Sequence, residues 1–84
     1  MEQQIKLASK LYRCRDTIKR FYMDDYNDKL QPYKECIRKY AAKSGKDILL
    51  SAMEICEVDE IREKGGFIIM MFLAAALEMV EPSE

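Results

Sequence analysis

The sequence predicts an all-α fold: a small helical bundle of three or four main helices, the last of them apolar, in a single domain over residues 1–84 with a short polar C-terminal tail. Two patterns carry that prediction. Apolar residues recur at three- and four-residue spacing through the first half of the chain, and the run Phe67-Ile68-Ile69-Met70-Met71-Phe72-Leu73-Ala74-Ala75-Ala76-Leu77 contains no charge. Between them lie helix-ending signals at Asp24-Asp25, Ser44-Gly45 and Gly65-Gly66.

The first helix is expected over Gln3–Tyr22, where Leu7, Ala8, Leu11, Cys14, Ile18 and Phe21 gather on one face. Lys6, Lys10, Arg13 and Arg20 cluster on a different face and form a basic ridge. Tyr12 departs from the apolar stripe and is a candidate contact residue, because tyrosine joins a large apolar ring to a polar tip. A second helix is expected from about Lys29, defined by Leu30, Tyr33, Ile37, Tyr40 and Ala41. Pro32 has no backbone donor, so it should fall in the first turn or kink the helix. Lys39 and Lys43 suit the helix C-terminus, and Gly45 suits its left-handed cap.

Asp47 is positioned to cap a third helix reaching Glu57, with Ile48, Leu49, Ala52, Met53, Ile55 and Cys56 giving a broad apolar face. Asp59 can cap a further short helix. Gly65-Gly66 either separates that segment from the apolar helix or lies within one bent helix. Residue preference at Phe67-Ile68-Ile69 is compatible with strand. The stretch Ala74-Ala75-Ala76-Leu77-Glu78-Met79 decides for helix. Phe67, Met70, Leu73 and Leu77 are the expected core or interface positions on it. The run is short of the roughly 20 apolar residues that span a bilayer, so no membrane contact is expected.

The chain carries 14 basic and 15 acidic residues, yet they are unevenly placed: beyond Asp47 the only basic residues are Arg62 and Lys64. Such polarisation serves matching of complementary surfaces better than it serves nucleic-acid binding. Ala41–Ile55 has a faint helix-turn-helix spacing, but its second helix offers Leu49, Leu50, Met53, Glu54 and Glu57 where a major-groove reader presents Arg, Lys, Asn or Gln.

There is no histidine, and the 3 cysteines, Cys14, Cys36 and Cys56, are far apart in sequence and odd in number. They are expected to be reduced, buried structural thiols, with no disulfide framework and no zinc site. No residue stands out as a nucleophile or base, so neither catalysis nor a cofactor is expected. The polar N-terminus and the lysines and arginines that follow it do not form a signal-peptide core, which points to a cytoplasmic protein.

The expected function is therefore a non-enzymatic protein-protein interaction module, such as a small regulator or inhibitor occupying a surface of a larger macromolecule. It would act as a homodimer or in a protein hetero-complex, with Lys6, Lys10, Tyr12, Arg13 and Arg20 as contact candidates. The alternatives are a nucleic-acid-binding protein using the basic first helix, and a structural subunit of an oligomer.

Overall fold

The computed structural model describes residues 2–82, with side chains from residue 6 onward; Ser83 and Glu84 of the expected tail lie outside the described residues. The elements in order are α1 (Glu2–Tyr22), a short 3-10 turn (Met23–Asp25), α2 (Tyr26–Ser44), α3 (Ile48–Cys56), the single-turn α4 (Asp59–Glu63) and α5 (Gly66–Val80). The all-α bundle expected from the periodicity is the fold observed.

The apolar helix α5 is the axis of the molecule. Helices α1, α2, α3 and α4 all pack on it, and every residue from Met71 to Glu78 is buried. A helix apolar on all sides has no face to give to water, so surrounding it with amphipathic helices is the arrangement that removes most apolar surface. Phe21 at the end of α1 meets Phe67 at the start of α5, while Tyr12 at the middle of α1 reaches Glu81 beyond the end of α5. Those contacts make α1 and α5 antiparallel.

Leu11, Cys14 and Ile18 of α1 are buried as the stripe requires, joining Leu73 and Leu77 at one end and Tyr26, Leu30, Ile37, Ala52, Ile55 and Phe72 at the other. Two members of the expected stripe depart from it. Ala8 is exposed, and Phe21 is 66 % exposed, packing edge to face on Tyr22 and Phe67 at the margin of the bundle.

The corner after α1 turns through Met23, which has φ 54°. Left-handed backbone costs an unbranched non-glycine residue of the order of 1 kcal/mol or more. Helix α2 then starts at Tyr26 and not near Lys29, and its N-cap Asp25 makes no side-chain capping bond. What fixes this start is burial of Tyr26 and Leu30 against α5, a tertiary effect that local capping signals do not report. Pro32 consequently lies inside α2, in its second turn, and not in its first. Its missing N–H leaves the carbonyl of exposed Asp28 without an intrahelical donor, an omission that water can repair at that position.

Gly45 closes α2 at φ 72°, its N–H donating to the Ala41 carbonyl at 2.8 Å. Asp47 caps α3 as its position predicts, accepting from the Leu50 N–H at 2.7 Å. Asp59 is the first residue of α4 and does not cap it; Val58 occupies the cap position with no side-chain bond. Gly65, at φ 104°, breaks the chain between α4 and α5, so the two are separate helices. No helix of the described residues is long and apolar enough to cross a membrane.

Candidate docking surface

Helical geometry places Lys6, Lys10, Arg13 and Arg20 within about 80° of arc on α1. All four are exposed, so the basic ridge exists as a continuous margin of the molecule. Its inner edge is Lys10 together with Leu7, and there the surface dips. A cavity of about 270 Å³ opens between α1 and the α3–α4 corner, floored by Cys56 of α3 and by Ile69 and Leu73 of α5. Met53, Glu57 and Arg62 form its far wall.

Further apolar side chains are exposed to either side of the cleft: Leu50 and Met53, one turn apart on α3, and the Phe21–Phe67 pair at the far end of α1; with the cleft between them they trace a strip. Leu7 and Phe21 are separated by about 21 Å along α1. Scattered surface apolar residues are ordinary; contiguous ones beside a charged margin mark a contact surface.

The two margins of the strip differ in charge. On the α1 side, Lys10 has no ion-pair or hydrogen-bond partner among the described residues. On the α3–α4 side lie Glu57, Asp59, Glu60 and Glu63, offset only by Arg62 and Lys64. Glu57 and Arg62 approach within 3.9 Å, and both are largely exposed, so the pair is weakly held.

Tyr12 does not join the ridge. It sits on the opposite flank of α1, its ring half-buried against the Leu11–Leu77 cluster and under the Arg15 guanidinium at 5.0 Å. Its hydroxyl donates to the Glu81 carboxylate at 2.6 Å, and that bond raises the phenol above its ordinary range. Of the positions expected on α5, Leu73 and Leu77 are buried and Met70 is half-buried. Phe67 is 39 % exposed and belongs to the strip.

The flank that carries Tyr12 also holds a polar cluster that no local pattern announces. Glu78 is buried within otherwise apolar α5, where it accepts from the Tyr26 hydroxyl at 2.8 Å and lies 3.9 Å from Arg15 Nε. Arg15 also donates from Nη1 to the Glu81 carbonyl at 3.3 Å. Burial, and then the bond to Glu78, push the Tyr26 phenol strongly upward. The signal available in the sequence was a single carboxylate inside an apolar run, which must find partners if it is buried. Across the molecule, Tyr40 donates to Glu54 at 2.6 Å and Lys46 bonds the same carboxylate, tying α2 to α3 and holding Glu54 below its usual range.

The thiols divide by position. Cys14 is buried and Cys56 half-buried at the cleft floor, and burial pushes both upward, Cys56 to about 11. Cys36 departs from the expectation of burial, since it faces solvent on α2. It lies outside the stripe formed by Leu30, Tyr33 and Ile37. No group of three His, Cys, Asp or Glu side chains among the described residues could hold a metal ion. No family model, curated protein or solved structure matches this chain.

Proposed function

We propose that this protein is a non-enzymatic protein-interaction module, a small cytoplasmic regulator or inhibitor that acts as a homodimer or in a protein hetero-complex. The observation that carries the reading is the apolar strip from Leu50 and Met53 through the cleft to Phe21 and Phe67, bordered by Lys6, Lys10, Arg13 and Arg20. An apolar centre with a charged border is the anatomy of a protein interface, in which buried side chains supply affinity and the border supplies orientation. Because α5 is already covered by its own chain over Met71–Glu78, the strip and not the bulk of the C-terminal helix is the surface offered to a partner.

The same ridge supports a second reading, contact with nucleic-acid phosphates. The acidic margin across the strip opposes it, and the exposed face of α3 carries Leu50 and Met53 where a base-reading helix would present amides or guanidinium groups.

The test uses the full chain as bait with Met53→Asp and Lys10→Glu variants beside it, each checked for helicity by circular dichroism. A partner retained by the parent chain and lost by both variants supports docking on the strip. In parallel, binding to duplex and single-stranded DNA and RNA is titrated with salt. Tight binding across unrelated sequences, abolished by neutralising Lys6, Lys10, Arg13 and Arg20, would replace the protein-interaction reading with the nucleic-acid one.

A further inference from the structure

Resting on that reading, we infer that the occupant of the strip is a second copy of this chain, docked face to face about a two-fold axis running along the strip. The argument is the opposition of charge between the two margins. A two-fold axis parallel to the strip exchanges its sides, so the α1 margin of each copy comes to lie over the α3–α4 margin of the other. Lys10 then faces the partner's Glu57, and the same pair forms again on the far side of the axis. Both residues line the cleft, Lys10 from α1 and Glu57 from the end of α3, which gives the match its register. An axis running across the strip would instead set basic ridge on basic ridge and acidic corner on acidic corner, so charge selects one arrangement of the two.

The apolar centre fits the same geometry. In the parallel arrangement each end of the strip meets its own counterpart, bringing the Phe21 and Phe67 rings of the two copies together at one end and Leu50 and Met53 together at the other. Aromatic and methionine side chains adapt well to such self-contact. Each copy measures 32 × 31 × 26 Å, and the strip covers only part of one side. A standard interface takes about 800 Å² from each partner, so the dimer is expected to be small, weak and reversible.

The experiment measures mass by light scattering and sedimentation equilibrium on the full chain, from micromolar to about 1 mM, at low and at moderate salt. The parent chain should show a concentration-dependent monomer–dimer equilibrium that weakens with salt. Lys10→Glu and Glu57→Lys should each raise the dissociation constant at least about tenfold at low salt, while their combination, which restores opposite charges across the axis, should recover to within about threefold of the parent. Lys39→Glu, an exposed charge reversal on α2, should leave it unchanged. A monomer at every concentration, or additive losses in the double variant, overturns the inference. If the parent is monomeric while Met53→Asp and Lys10→Glu still abolish capture of another protein, the second copy is wrong and docking on the strip stands; if they abolish nothing, both fall.

Discussion

Replacing Tyr26 by Phe removes one hydroxyl from the buried cluster and leaves the ring, and with it the packing against α1 and α5, in place. The hydroxyl donates to Glu78 at 2.8 Å, and Glu78 is 5 % exposed. A hydrogen bond to a charged acceptor contributes about 1.5–3 kcal/mol. Arg15 remains near the carboxylate but at 3.9 Å through Nε, too far to take over the lost bond without moving. The expected loss is therefore about 2 kcal/mol, which for a domain of this size lowers the melting temperature by roughly 8–16 °C. Urea unfolding measures it directly, provided the slope is unchanged.

A double-mutant cycle sharpens the test. In a Glu78→Leu background the Tyr26 hydroxyl has no carboxylate to donate to, so Tyr26→Phe should cost little and the coupling should be about 1.5 kcal/mol or more. A loss below about 0.5 kcal/mol for the single change, or additivity in the cycle, would refute the assignment of the Tyr26–Glu78 bond as a stabilising contact.

Leu73→Ala should destabilise toward the lower end of about 2–5 kcal/mol, because Leu73 is buried but borders the cleft, whose walls can relax into the space; chemical unfolding checks it. Met23→Gly should stabilise by about 0.5–1 kcal/mol by relieving the left-handed backbone at an exposed side chain, read as a higher urea midpoint. Raised folded-state pKa values at Cys56 and Tyr26 mean that the folded chain holds those protons more tightly. Their contribution to stability is complete below about pH 9 for the thiol and pH 10 for the phenol and is lost as pH rises further, so the urea midpoint should fall through that alkaline range. Titration with a thiol reagent at neutral pH should modify Cys36 promptly and Cys56, half-buried at the cleft floor with its thiol held protonated, more slowly, while Cys14 reacts only as fast as the fold opens.

What could be read in advance followed the range of the interaction concerned. Helix α1, the Asp47 cap and the Gly45 stop rest on neighbours within a turn or two, and local spacing reports them well. The first-turn preference of Pro32 points to an α2 start near Lys29, whereas the structure begins the helix where Tyr26 can enter the core. Phe21 obeys the periodicity of α1 but lies where the bundle has run out of neighbours to cover it. Lys6, Lys10, Arg13 and Arg20 were identifiable as a group from a single helix. The cleft beside them was not, since its floor comes from α3 and α5 and its far wall from α3 and α4.

A uniformly greasy rod can be turned about its long axis, or slid by a turn, with little change in the apolar area it hides, and α5 would be such a rod without Glu78. Near-degenerate packings of that kind blur a core even when each is stable. One carboxylate removes the ambiguity, because only one rotation and one longitudinal setting bring it to Tyr26 and Arg15 together. Much as a single buried polar side chain sets the register of a coiled coil, Glu78 trades some stability for uniqueness. Replacing the whole cluster, with Glu78→Leu, Tyr26→Phe and Arg15→Met together, would thus keep or raise the resistance of the chain to urea while broadening its amide resonances, and the edges of the strip, which depend on where Phe67 and Ile69 emerge from α5, would lose their fixed outline.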